Sequence, residues 1–193
     1  DSESMRRIRG GRIAMVFQEP MTSLNPVFPV GEQIAEVLRE HADLGRKAAS
    51  RRAVELLDEV GLDRPADRAR QIPQELSGGM RQRVMIAMAL AGDPDVLLAD
   101  EPTTALDVTV QAQILDLLDR LRRDRGRAVV LITHDLALVS GRTDEVAVMY
   151  SGRIVERATT GSLFASAGHP YTLGLLACRP RIGAERKLLP TIG

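Results

Sequence analysis

Two adjacent carboxylates, Asp100 and Glu101, follow the continuous apolar run Val96 to Ala99 and stand directly before Pro102. An apolar parallel strand delivers side chains at its C-terminal edge, where open α/β sheets bind ligands, and two carboxylates there can divide labour. Asp100 suits Mg²⁺, which takes few protein carboxylates and fills its shell with water and substrate phosphates. Glu101 suits a general base that takes a proton from a water attacking a γ-phosphate. Taken alone, the pair also reads as a cap before Pro102.

A second group lies upstream. Ser77, Gly78 and Gly79, within LSGGMRQR at Leu76 to Arg83, precede a long helical pattern. Unpaired amides and the helix dipole favour an anion at such a terminus, although an ordinary serine cap with glycines easing the turn has the same spelling. His134 follows the apolar run Ala128 to Thr133, and Gln18 ends the run Arg12 to Gln18, so both fall at strand ends. His134 can hydrogen-bond a phosphate oxygen or the attacking water; Gln18 can add a neutral ligand to Mg²⁺ or water. Each has an ordinary structural reading when taken singly. The 193 residues contain no GxxxxGK[ST] phosphate loop.

The elements that must position these groups follow from periodicity. Val30, Ile34, Val37 and Leu38 mark one helix face up to about Leu44, with Gly45 as its stop. Val54, Leu57 and Val60 mark a second helix over Lys47 to Val60, closed by Gly61. From Ser77 the helix is apolar nearly all round, so it should be buried on most sides, and Gly92 and Pro94 end it. Val96 to Ala99 and Ala128 to Thr133 flank a helix carrying Val110, Ile114, Leu117, Leu118 and Leu121, a βαβ unit. Glu145 to Tyr150 and Arg153 to Glu156, split by Ser151 and Gly152, predict a hairpin. The stretch Asp1 to Arg12 reads as a polar, basic segment running straight into a strand, and the tail beyond Gly161 has no clear pattern.

Composition narrows the function classes. Lys plus Arg and Asp plus Glu number 26 each, so there is no global basic excess of the kind nucleic-acid binding produces, and no nucleic-acid partner is expected. Arginine clusters at 46–52 and 120–127 read as solvated helix faces. One cysteine, Cys178, excludes an internal disulfide and a cysteine metal cage. No apolar run approaches the ~18 residues that span a bilayer, so membrane contact should come through a partner.

In order along the chain, Gln18, LSGGMRQR, LLADEPT, Ala105 to Asp107 (ALD) and Thr133 to Asp135 (THD) resemble the Q-loop, signature, Walker B, D-loop and H-loop of the ATP-binding cassette ATPases. The resemblance covers about Arg12 to Glu156. MVFQEPMTSLNPVFPVGEQIAE, Met80 in the signature and GHPYT at Gly168 to Thr172 look like the branch that energises oligopeptide, dipeptide and nickel importers, and the resemblance leaves the solute open among peptide, nickel and glutathione.

The resemblance implies an α/β, P-loop NTPase-like fold with a parallel-sheet core and an α-helical subdomain, incomplete at the N-terminus. Residues 1–18 and 92–160 would form the catalytic core portion, 31–91 the helical subdomain with the signature, and 161–193 a C-terminal extension. It implies ATP and Mg²⁺ as ligands, with Asp100 and Gln18 on the metal, Glu101 as catalytic base and His134 on the γ-phosphate. Ser77, Gly78 and Gly79 would meet the nucleotide held by a second ATPase subunit, and Asp107 would lie at the dimer seam. The implied partners are that subunit, transmembrane permease subunits and a separate solute-binding protein, with the chain at the cytoplasmic face of the membrane. The Walker A loop and an adenine-stacking aromatic are the departures, so the chain alone is expected to lack appreciable ATPase activity. A non-enzymatic remnant keeping only subunit contacts is the alternative, and a nucleic-acid- or ribosome-associated cassette ATPase is a further one that the balanced charge disfavours. A tail holding only Cys178 implies no iron–sulfur cluster, and His169 before Pro170 reads as a turn residue.

Overall fold

The computed structural model describes residues 2–104 and 106–178; Ala105 of the ALD sequence and positions 179–193 of the C-terminal extension lie outside them. The chain divides into two compact units, Asp1–Ile132 and Thr133–Gly193.

The first unit runs α1 (Ser2–Ile8), β1 (Ile13–Val16), α2 (Pro20–Ser23), α3 (Val30–His41), α4 (Arg46–Glu59), α5 (Pro65–Arg68), a 3₁₀ turn at Pro73–Glu75, α6 (Gly78–Leu90), β2 (Val96–Asp100), α7 (Val108–Arg125) and β3 (Ala128–Ile132). The three strands form one parallel sheet in the order β1-β2-β3. Its register places Val16 beside Ala99 and Asp100 beside Ile132, so the C-terminal ends of all three strands share one edge. The expected βαβ unit is β2, α7 and β3. On β3, Val130 and Ile132 stand about half exposed, 47% and 46%.

Helix α6 is the centre of this unit. Val84, Ile86 and Ala87 are fully buried, and the helix packs against α2, α3, α4, α7 and β1. Its all-round apolar sequence explains this, because no face is left for water. Gly92, just after it, is required by packing: a Cβ there would overlap the carbonyl oxygen of Gly10 in the loop entering β1.

Two boundaries differ from the sequence expectation. The basic N-terminal stretch folds as α1, held by the i,i+4 pair Glu3–Arg7 and by an ion pair from Arg6 to Glu40 on α3. A partner 34 positions away leaves no trace in local pattern. Helix α3 stops at His41 instead of about Leu44, because Ala42 closes on the Leu38 carbonyl and Asp43 takes a left-handed φ of 54°. Helix α4 ends as expected, with Gly61 at φ 78° and the Leu62 amide returning to the Leu57 carbonyl.

The segment between β1 and α3 is secured by Gln33, a buried side chain on α3. Its Nε2 donates to the carbonyls of Asn25 and Phe28, 2.9 Å each, and its Oε1 accepts from the Asn25 amide at 2.9 Å. A buried amide needs such saturation, and here it fixes the path of the loop.

The second unit holds α8 (Leu136–Val139), an antiparallel hairpin of β4 (Glu145–Tyr150) and β5 (Arg153–Thr159), α9 (Thr160–Ser166) and α10 (Pro170–Ala177). The hairpin is the expected one, turned by Ser151 and Gly152 at φ 47° and 76°. His169 caps α10, its Nδ1 accepting from the Tyr171 amide at 3.1 Å. Glu156 on β5 accepts the Gly168 amide at 2.7 Å and the His169 amide at 3.2 Å. The GHPYT segment is therefore a helix start gripped by a carboxylate, and the rings of Tyr150 and Tyr171 lie 4.5 Å apart beside it.

Two outcomes are expected. Ile86→Ala should destabilise the first unit by about 2–5 kcal/mol, since Ile86 is fully buried and its truncation leaves a cavity; urea denaturation of the variant measures it. The Gly168 amide foremost, then the Thr172 side chain and the His169 amide, hold the Glu156 pKa below the usual carboxylate value. A depressed folded-state pKa gives stability that is complete above the ordinary glutamate range and is lost as pH falls through the depressed value. Docking of α10 should therefore loosen on acidification below about pH 4, and Glu156→Gln should flatten that dependence. With two tyrosines and no tryptophan in the chain, tyrosine fluorescence reads the Tyr150–Tyr171 pair directly.

Candidate functional site

The C-terminal edge of the sheet gathers Gln18, Asp100 and Glu101. Gln18 lies two positions past β1, and Asp100 closes β2. Glu101 begins the turn after β2 with its amide donating to the carbonyl of Ile132 at the end of β3, 2.9 Å. The carboxylate is thus placed by a strand that is its neighbour in the sheet and 31 positions distant in sequence.

Glu101 has a left-handed backbone, φ 43°. A non-glycine residue there costs on the order of 1–3 kcal/mol and persists only where surrounding bonds determine it. Those bonds are present. Thr104 returns its amide to the Glu101 carbonyl at 3.1 Å, and its hydroxyl donates to Glu101 Oε2 at 2.9 Å. The Gln18 side chain donates Nε2 to the same oxygen at 2.8 Å. Gln18 and Glu101, predicted separately, are brought into direct contact. Thr104 was not singled out by the sequence, although its place between DEPT and ALD was a signal.

The signature residues open α6. Ser77 is the N-cap, its Oγ accepting from the Met80 amide at 3.4 Å, and Gly78 and Gly79 form the first turn. A Cβ on Gly79 would lie 2.5 Å from Val110 Cγ1, so this glycine lets α6 and α7 approach closely. Asp107 caps α7, accepting from the Val110 amide at 3.0 Å. The signature turn and the segment around Asp107 are therefore packed together.

His134 belongs to the second unit and is exposed. Around it the Thr133 hydroxyl accepts the Asp135 amide at 3.0 Å, and Asp135 caps α8 through the Ala137 amide at 2.8 Å. Among the described residues no cluster of three His, Cys, Asp or Glu side chains could hold a metal by itself. One carboxylate, Asp100, plus the amide oxygen of Gln18 is a donor set that fits Mg²⁺, which draws its remaining ligands from water and phosphate.

Comparison with known proteins bears on the family and the fold. A family profile described as ABC transporter matches residues 1–104. A Brucella melitensis protein named for peptide import and ATP binding is 56% identical over 183 residues, which cover 95% of this chain and 54% of that protein. The oligopeptide transport ATP-binding protein OppD of Bacillus subtilis is 54% identical over 180 residues, 93% of this chain and 50% of its own length. The glutathione import ATP-binding protein GsiA of Pectobacterium atrosepticum is 54% identical over 182 residues, 94% of this chain and 29% of its own. The chain thus spans about half or less of the length of these curated relatives. A dimeric structure of the ATP-binding cassette MJ0796 bound to ADP and Pi superposes with a TM-score of 0.72 at 31% identity, covering 83% of this chain and 68% of that one. A parallel sheet with paired carboxylates at its edge, a glycine-started buried helix and this level of identity lead to one conclusion: the chain belongs to the ABC transporter family of ATP-binding cassettes.

Proposed function

We propose that this chain is part of the nucleotide-binding subunit of a peptide importer, coupling ATP hydrolysis to solute movement. The observation that carries the proposal is the hydrogen bond from Gln18 to Glu101 at the C-terminal edge of the sheet. It joins the loop after β1 to the carboxylate best placed to act on water.

In this reading Glu101 accepts the proton of the hydrolytic water. Asp100 and the Gln18 oxygen hold Mg²⁺, while His134 donates to a phosphate oxygen. ATP with Mg²⁺ supplies the phosphoanhydride that is cleaved. The amides of Gly78 and Gly79 and the Ser77 hydroxyl face the nucleotide of a second ATPase subunit, with Asp107 at the seam between subunits. The close packing of Gly79 on Val110 supports that pairing, since it makes one surface of the two motifs. Residues 31–91 serve as the helical subdomain.

Partner contact follows from exposed apolar groups. Phe17, Met21, Val27 and Phe28 are exposed along the segment that joins β1 to α3. No helix of the described residues is long and apolar enough to cross a membrane. This segment therefore suits docking to permease subunits at the cytoplasmic face of the membrane. A separate solute-binding protein completes the system, and peptide is the favoured solute from the names of the relatives.

The test is uptake of a labelled oligopeptide by vesicles holding the complete encoded protein with its permease. Glu101→Gln should lower uptake and ATP turnover by about 100-fold or more while nucleotide still binds; turnover as fast as wild type refutes the role of Glu101. The 193 residues expressed alone, which contain no GxxxxGK[ST] loop, should show no ATP turnover in a phosphate-release assay. Glu101-dependent release from that material would overturn the expectation.

A further inference from the structure

We propose that Thr104 is a positioning residue for Glu101, aiming the carboxylate by a hydroxyl bond that belongs to the same turn. The inference rests on Glu101 being the proton acceptor.

Four hydrogen bonds bear on the placement of Glu101 in its turn. Its amide is anchored to the Ile132 carbonyl at 2.9 Å and its carbonyl receives the Thr104 amide at 3.1 Å, so the backbone is set from β3 and from within the turn. Its Oε2 receives two neutral donors, Gln18 Nε2 at 2.8 Å and Thr104 Oγ1 at 2.9 Å. A glutamate side chain has three rotatable bonds, and one donor leaves rotation about the last of them. Two donors from different elements, converging on one oxygen, fix the plane of the carboxylate.

The two donors differ in what else they must do. Gln18 reaches Glu101 from a loop 83 positions away, the loop that carries the exposed apolar groups and that leads into the partner-facing segment. The Gln18 oxygen remains free to serve a metal ion while Nε2 donates to Glu101, but a movement of this loop with a partner would draw Nε2 away. Thr104 has no such competing position. Closing a four-residue turn, it travels with Glu101 and keeps the carboxylate aimed when Gln18 leaves. Preorganisation of this kind removes a reorientation that the chemical step would otherwise include.

Valine matches threonine in shape and lacks the hydroxyl, and serine keeps the hydroxyl. The Thr104 side chain is exposed, so neither change opens the core. In the complete encoded protein assembled with its partners, Thr104→Val should lower kcat about 10-fold with KM for ATP unchanged, and Thr104→Ser should recover most of the loss. In the nucleotide-free protein, the ¹³C carboxyl resonance of Glu101 should move in Thr104→Val and return toward wild type in Thr104→Ser. An unchanged or raised kcat in Thr104→Val, an unmoved resonance, or a serine variant as slow as the valine one overturns the inference if Glu101→Gln abolishes turnover. Turnover that survives Glu101→Gln instead sinks the assignment of Glu101 as proton acceptor, a separable result.

Discussion

Burial of α6 on every side is the constraint on which the first unit depends. The helix meets β1 and α7 on the sheet side and α2, α3 and α4 on the helical side, so the unit cannot pack unless all of them close on it. Each fully buried aliphatic side chain contributes about 1.5–3 kcal/mol by leaving water, and α6 supplies several in succession. The same helix begins with Ser77, Gly78 and Gly79. Its hydrophobic body thereby sets where the glycine turn is presented, and in the proposed function that packing requirement becomes a binding geometry.

The sheet edge shows a second coupling, between backbone geometry and side-chain chemistry. Glu101 is held in a left-handed conformation by a bond to β3 and by its own turn, and its carboxylate is held by Gln18 from β1's loop and by Thr104. The loop after β1, the turn after β2 and the end of β3 thus converge on one residue. The strain at this residue has a place in the proposed mechanism, because a general base is useful only when aimed. Gln18 links that group to the loop fastened by Gln33 and lined with exposed apolar side chains, a physical route by which partner contact can reach the carboxylate.

The second unit follows a different logic, with a smaller core and more specific polar contacts. Glu156 grips the start of α10 through two amides, the His169 ring caps it, and Tyr171 lies against Tyr150. Thr160 is tied to Thr143 by hydroxyl and carbonyl bonds, which fixes the start of α9. Where little apolar area is buried, such bonds take over the placement of short helices.

Periodicity alone was enough for the elements whose stability is local or whose burial is uniform. The apolar strands β2 and β3, the all-round apolar α6, the amphipathic α4 and α7 with their glycine stops, and the Ser151–Gly152 hairpin are legible because one face or all faces must leave water. The motif order likewise identified Asp100, Glu101, Gln18, the signature turn and His134 as chemically apt. Helix α1, the early end of α3, and helices α9 and α10 were not legible, because each is held by a partner distant in sequence or by a side chain gripping a helix start. The sequence by itself determined which residue types lie at the strand ends. Only the tertiary structure decided that Gln18 and Thr104 share one oxygen of Glu101 and that Gly79 must be bare for Val110, since convergence in space depends on register and packing that no local pattern encodes.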